Sequence, residues 1–141
     1  MGVQTFTSSV TNHCFRLRPG QDLKKELLFY AQTHHIHAGV ILSAVGSLNK
    51  AHIRLSGGKD TVEFNGPFEI VSLTGTLSAE SLHMHISFSD FEGRVRGGHL
   101  MDGCLIFTTV EILIQENQDL IFERKFDEET GYKELIIQNR I

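Results

Sequence analysis

The sequence contains no tryptophan, two prolines and two cysteines, and its basic and acidic residues nearly balance. Cys14 and Cys104 lie far apart and form no CxxC unit, so we expect reduced, largely buried thiols rather than a disulfide scaffold. With 13 basic and 17 acidic residues, the formal net charge of -4 excludes a generally basic, nucleic-acid-binding surface. No apolar run can span a bilayer, and no basic segment leads into an apolar one at the N-terminus, so we expect a cytoplasmic protein without membrane contact.

Most of the sequence consists of segments with a strand-like residue pattern. Apolar segments bounded by Gly, Asn, Asp and Pro recur along the chain, whereas helical spacing occurs once. The helical stretch runs from about Asp22 to His34, with Asp22 as its N-cap and an apolar stripe that faces a sheet. The pattern predicts an α+β fold, in which one main helix packs on a mostly antiparallel β-sheet. A length of 141 residues without a linker or repeat predicts a single domain over residues 1–141.

Short clusters of turn-forming residues separate the predicted strands. Gly46–Asn49 follows one buried strand, and Asn65–Pro67 precedes another. Gly75, inside the second of these strands, indicates a bulge or the close approach of another backbone. The segment Cys104–Ile114 is apolar on both faces, so it needs the helix on one side and a neighbouring subunit on the other.

Three histidines carry the clearest chemical signal. Apolar and polar residues alternate strictly over Leu82–Ser89, so His83 and His85 project from the same face of a strand. The pair Gly97-Gly98 precedes His99, and we interpret it as a flexible turn that folds a third imidazole over the first two. Three protein ligands with an open fourth position are the usual pattern of a catalytic zinc site. Spacing alone leaves metal binding and solvent-exposed strand histidines as equally good interpretations.

A carboxylate near the histidines would orient a ring, act as a base or bind the metal directly. The candidates are Glu69, Asp90 and Asp102, and Glu69 is the candidate catalytic residue. Without a metal, the three histidines would instead form a proton-sensitive cluster.

Other chemistries find less support in the sequence. There is no G-x-S-x-G elbow, no P-loop and no G-x-G-x-x-G turn that opens a helix. Cys104 lies in an apolar run, so an inert core thiol is a better interpretation than a nucleophile. The cluster of His34, His35 and His37 suits the negative end of a helix better than a second metal site.

Several short motifs together resemble the PPC domain (plants and prokaryotes conserved), which occurs alone in bacteria and archaea and beside AT-hooks in plant nuclear proteins. The similarity runs from about Phe15 to Ile137 and so covers nearly the whole chain. Plant members usually carry arginine where this chain has Pro67. The motifs that carry the resemblance are Arg16–Asp22, Gly46–Leu48, Gly66–Ile70, Ser72–Gly75, Leu82–His85, Gly93 and Gly97–Leu100.

The resemblance implies a compact α+β domain, with a core of about residues 15–137, that assembles as a homotrimer. It also implies a zinc site, because the histidines that match His83, His85 and His99 look like zinc ligands in prokaryotic members. The fold resembles the acetolactate decarboxylase type, whose metal is likewise held by a histidine trio. The family is often labelled DNA-binding, although this chain has no Arg-Gly-Arg-Pro hook for the minor groove.

The resemblance supports two functional hypotheses. In the first, the chain is a trimeric PPC-domain protein with a three-histidine Zn²⁺ site and a DNA-binding or transcription-associated role, directly or through partners. In the second, it is a metal-dependent enzyme that acts on a small-molecule ligand through zinc-bound water. Loss of turnover without loss of assembly in a His83 variant favours the second hypothesis, and salt-dependent binding of duplex DNA favours the first.

Overall fold

In the computed structural model, which describes residues 2–141, the chain forms one α-helix and eight β-strands. The strand pairings are antiparallel, so the expected α+β class with one main helix on a mostly antiparallel sheet is confirmed. Among residues 2–141, no helix has the length and apolar character that crossing a membrane requires. In chain order the elements are β1 (Val10–Leu17), α1 (Leu23–Thr33), β2 (Gly39–Arg54), β3 (Thr61–Leu77), β4 (Leu82–Ser89), β5 (Val95–Leu100), β6 (Leu105–Asn117), β7 (Leu120–Phe126) and β8 (Lys133–Asn139).

The sheet closes partly on itself. Within residues 2–141, six strands pair in the order β1-β6-β2-β3-β4-β5, and β7 and β8 form a separate hairpin. A further pairing joins β5 to β2, because Ile53 lies opposite Leu100 and Arg54 lies opposite His99. The strands β2, β3, β4 and β5 therefore form a small closed barrel, and β6 and β1 extend the sheet beyond β2.

The helix packs its predicted stripe on this sheet. Leu23, Leu27 and Ala31 are fully buried in the same apolar core that fills the barrel. Asp22 is the N-cap, as predicted, and its side chain accepts a hydrogen bond from the Lys25 backbone N–H at 3.2 Å. This shared core determines which face of each barrel strand points outward.

Two of the predicted turns are wrong, because β2 and β3 each continue through them. Leu48 pairs with Phe68 of β3 and with Ile106 of β6, in the middle of the predicted turn Gly46–Asn49. The second predicted turn, Asn65–Pro67, lies inside β3. Shifts in strand register absorb the irregular residues, and pairing with neighbouring strands outweighs their local turn preference.

The two cysteines have different environments, and both are free thiols. Cys104 is fully buried, and burial raises the pKa of its thiol to about 11, so it is the inert core thiol that we expected. Cys14 is exposed, so the expectation of buried thiols is wrong for this residue. It lies on the edge strand β1, whose residues alternate between core and solvent, and it falls on the solvent side.

Candidate metal centre

Two of the three histidines project from the outer face of the barrel because β4 alternates. Met84 lies between them and points into the core with 2% of its surface exposed, so His83 and His85 point the opposite way. Strand β3 holds this arrangement in register, with Thr76 opposite His83 and Thr74 opposite His85. The prediction that both imidazoles share one strand face is confirmed.

The third histidine lies on a strand and not in a flexible turn, so that prediction is wrong. His99 belongs to β5, and its backbone lies directly opposite His85 of β4. The preceding glycines allow close packing of neighbouring strands. A Cβ atom at Gly97 would lie 2.7 Å from a carbonyl oxygen of β4, and one at Gly98 would lie 2.6 Å from a carbonyl oxygen of β2. The glycines therefore fix the position of His99 through tight packing.

The three imidazoles form one compact cluster. Their ring centroids are 5.2 Å apart for His83 and His85, 5.3 Å for His83 and His99, and 5.8 Å for His85 and His99. One ligand nitrogen of each ring lies within 4.8 Å of those of the other two. Nitrogens bound to one tetrahedral zinc ion lie about 3.3 Å apart, given zinc–nitrogen distances of about 2.0–2.1 Å. Small side-chain rotations would therefore bring the cluster to the geometry of a metal site.

Burial and nearby cations lower the pKa of two of these histidines. His99 is half-buried, and burial, followed by the charge of Arg54, lowers its pKa from the ordinary 6.5 to about 4. Burial, followed by the charge of Arg124, also lowers the pKa of His83, and Glu134 partly opposes this effect. Both imidazoles are therefore neutral at pH 7, which is the form that binds metals.

The stability of the metal-free protein is expected to fall as the pH drops from about 6.5 to about 4. In the unfolded chain His99 has its ordinary pKa and binds a proton over this range, whereas in the folded protein it stays neutral until about pH 4. Protonation therefore favours unfolding, and stability increases with pH across this window. Urea denaturation in the presence of EDTA measures the effect, and the variant His99→Gln should show a weaker pH dependence than the wild type. An identical dependence in the two proteins would contradict the lowered pKa.

The histidines open onto a surface cavity of about 1030 Å³. Its walls come from three parts of the fold: the end of β2 with the turn that follows, the pair β4–β5, and the β7–β8 hairpin. The cavity volume is at the upper end of the range for small-molecule sites, so an organic ligand would fit beside the imidazoles. Besides the histidines, the lining side chains that carry a charge or a hydroxyl are Arg54, Ser56, Ser81, Arg124, Tyr132, Lys133 and Glu134.

The hairpin supplies polar groups that the sequence reasoning missed. Arg124 donates a hydrogen bond from Nη2 to Thr76 Oγ1 at 2.7 Å, which ties the hairpin to β3 opposite His83. Glu134 accepts a hydrogen bond from Thr130 Oγ1 at 2.9 Å and lines the cavity with the histidines. Nothing in the sequence links these residues to the cluster, because the hairpin follows β4 only after two further strands.

The carboxylates that the sequence suggested lie elsewhere. Glu69 is exposed on β3 opposite Ser89, at the end of β4 that is remote from His83, and it does not line the cavity. Asp90 accepts hydrogen bonds from backbone N–H groups within the β4–β5 turn. Asp102 is exposed in the turn between β5 and β6. The structure therefore brings the three histidines together but does not bring Glu69 to them.

Together, the fold and the site define an α+β domain with a small barrel and a candidate metal centre on its outer face. The sequence model of the Plants and Prokaryotes Conserved domain, abbreviated PCC or PPC, matches residues 4–118. The chain belongs to this family. The matched range ends just before the β7–β8 hairpin, which forms one wall of the cavity.

The relatives of known sequence include two different kinds of longer protein. The bifunctional protein GlmU of Synechococcus sp. (strain JA-3-3Ab) is 42% identical over 132 residues, which cover 94% of this chain and 21% of that protein. The AT-hook motif nuclear-localized protein 13 of Arabidopsis thaliana is 31% identical over 107 residues, which cover 68% of this chain and 24% of that protein. The chain thus spans about a fifth to a quarter of the curated relatives that it matches.

The chain shares its whole fold with other proteins of solved structure. A hypothetical protein from Salmonella cholerae-suis has a TM-score of 0.95 and 36% sequence identity, over 98% of this chain and 100% of that one. The metal-containing protein AF0104 from Archaeoglobus fulgidus has a TM-score of 0.77 and 29% identity, over 96% of this chain and 99% of that one. A protein of this fold therefore contains a metal.

Proposed function

We propose that His83, His85 and His99 bind a zinc ion and that the protein acts on a small molecule held in the adjoining cavity. The observation that carries this proposal is the convergence of three imidazoles, with ligand nitrogens within 4.8 Å of one another, beside a cavity of about 1030 Å³. The similarity to a metal-containing protein over 96% of the chain supports the metal part of the proposal.

The donor set fits zinc. Three imidazole ligands leave one position of a tetrahedral ion open, which is the arrangement of catalytic rather than structural zinc sites. Zinc in such a site supplies a Lewis acid and lowers the pKa of bound water. The open position would face a ligand in the cavity, so the geometry favours chemistry on a small molecule.

Residues of the β7–β8 hairpin would accept a proton and orient the ligand. Glu134 is held by Thr130 and lines the cavity with His83, so we assign it the role of proton acceptor in place of Glu69. Arg124, tied to Thr76 at 2.7 Å, would orient the ligand. Both roles depend on the hairpin position relative to β3 and β4.

Elemental analysis of the untagged protein tests the metal part of the proposal. We expect about one zinc ion per chain after zinc is offered and the excess is removed. A histidine tag must be absent, because it would bind metal itself. Protein that retains no zinc under these conditions would contradict the proposal. If zinc is retained, a screen of small carbonyl, ester and carboxylate substrates follows, with the His83→Ala variant as the blank.

We also propose that the protein assembles as a homotrimer, as the family resemblance implies. Leu42, Val45 and Phe107 are large apolar side chains of β2 and β6 with 54%, 53% and 47% of their surface exposed. The helix covers the other face of these strands, so a second copy of the chain would cover this one. Sedimentation equilibrium should give about three times the chain mass of 15.8 kDa, and a monomer mass at all concentrations would contradict the assembly.

A second candidate function is association with DNA or with transcription. It is favoured by the similarity to an AT-hook motif nuclear-localized protein over 68% of the chain. The formal net charge of -4 argues against strong direct binding, so we place this role mainly with a partner protein. Adding labelled duplex DNA to the sedimentation experiment tests direct contact. Salt-dependent co-sedimentation would support it, and no association at low salt would contradict it.

A further inference from the structure

The cavity beside the histidines carries more positive than negative charge. Arg54, Arg124 and Lys133 line it, and a single carboxylate, that of Glu134, opposes them. In the part of the chain that the structure describes, residues 2–141, none of these side chains takes part in a salt bridge. The cavity wall is therefore cationic, and a divalent metal on the histidines would make it more so.

Arg124 is held in place with most of its donors available. Its Nη2 atom donates to Thr76 Oγ1 at 2.7 Å, and Thr76 lies opposite His83 in the sheet. A guanidinium group has five N–H donors in a planar fork, so one such bond leaves the others available for a ligand. The side chain is half-buried, and the nearby charge of Glu134 offsets only part of the cost of this burial. Within residues 2–141 no carboxylate lies within salt-bridge distance of the guanidinium group. An anionic ligand would supply the missing partner.

Arg54 brings a second guanidinium group to the same cavity. It is the last residue of β2, and its backbone lies opposite His99 of β5. Among residues 2–141 its side chain has no salt-bridge partner, whereas Arg94 pairs with Glu92 at 2.7 Å. The cavity therefore has two unpaired arginines, one beside β5 and one on the hairpin, with the histidines in the same lining.

We propose that this cavity binds a small ligand that carries a carboxylate or phosphate group, with the anionic group held by Arg54 and Arg124. Guanidinium groups recognise both kinds of anion through paired, charge-assisted hydrogen bonds. A volume of about 1030 Å³ leaves room for the rest of a small organic molecule to reach the histidines. This inference rests on the proposed function, because it assigns a ligand class to the same cavity.

Anion titrations of the untagged protein, metal-free and zinc-loaded, test the inference. The probes are inorganic phosphate and malonate at constant ionic strength, followed by calorimetry and by the amide NMR signals of the lining glycines Gly57, Gly58, Gly97 and Gly98. We expect saturable binding of at least one probe, with a dissociation constant in the millimolar range or tighter. The variants Arg54→Gln and Arg124→Gln should each weaken binding at least about tenfold, since each removes a charge-assisted contact.

Arg140→Gln is the matched control, because it makes the same change at an exposed arginine outside the cavity. A cooperative thermal unfolding transition shows that each variant is folded. If one of the two cavity variants does not fold, the other still tests the inference. Zinc content is measured on the same samples. Zinc retained without saturable, arginine-dependent anion binding would overturn this inference and leave the metal proposal intact. Arginine-dependent anion binding in protein that retains no zinc would support the anion site and contradict the metal proposal.

Discussion

Changing His99 to alanine is expected to lower the zinc content of the protein from about one ion per chain to near zero. The variant removes one of three ligands, and we expect affinity to fall more than about 100-fold, because losing even an outer-shell partner costs about 10–100-fold. His83→Ala should behave in the same way. The fold should survive both changes, since the imidazoles lie on the outer face of the barrel, away from the core residues of β4 and β5.

A matched control separates the cluster from the other histidines. His35 is exposed and has a positive φ of 53°, so His35→Asn keeps a residue type that tolerates this backbone conformation. This variant should retain the full zinc content of the wild type. Equal zinc loss in the control, or unchanged zinc in both His83→Ala and His99→Ala, would show that the metal lies elsewhere. Competition with a chromophoric chelator measures the zinc affinities of the three variants relative to the wild type.

Changing Gly75 to alanine is expected to destabilise the protein by more than about 4 kcal/mol, enough to unfold many domains. Gly75 lies on β3 between the residues that pair with His83 and His85. Its φ is +148°, and an added Cβ atom would overlap the carbonyl oxygen of His83. The backbone of β4 cannot move aside without breaking the pairing that carries both histidines. Zinc uptake should therefore be lost together with stability.

Gly93→Ala separates the backbone overlap from the cost of a positive φ. Gly93 lies in the β4–β5 turn with a φ of +78°, and an added Cβ atom there meets nothing within 4 Å. We expect a loss of only about 1–2 kcal/mol for this change. Urea denaturation of the two variants measures the difference. Similar losses in Gly75→Ala and Gly93→Ala would contradict the close approach of β3 and β4.

The sequence predicts an element correctly where the local residue pattern agrees with the tertiary contacts of the same residues. Asp22 precedes an apolar stripe of period 3.6, and the helix begins where its cap predicts. The close backbone approach predicted at Gly75 is confirmed, because a Cβ atom there would overlap the backbone carbonyl oxygen of His83 on β4. The turn predicted at Gly46–Asn49 is wrong because strand pairing on both sides keeps this segment extended. Local composition cannot reveal pairing with residues that are distant in the sequence.

The part of the candidate site that lies on a single strand was predictable. Strict alternation in β4 places His83 and His85 on one face, and this follows from strand geometry alone. The position of Arg124 and Glu134 in the cavity lining was not predictable, because the hairpin meets the barrel through tertiary contacts and no local sequence pattern indicates them. Glu69 was a poor candidate for the same reason, since only the register with β4 shows that it lies opposite Ser89.

The most direct test of the central claim is the zinc K-edge X-ray absorption spectrum of the untagged, zinc-loaded protein. Ligation by His83, His85 and His99 predicts a first shell of nitrogen and oxygen atoms at about 2.0–2.1 Å, with the outer-shell scattering of three imidazoles. A sulfur contribution at about 2.3 Å would instead indicate a cysteine ligand such as the exposed Cys14. That result, or a shell without imidazole scattering, would contradict a three-histidine metal centre.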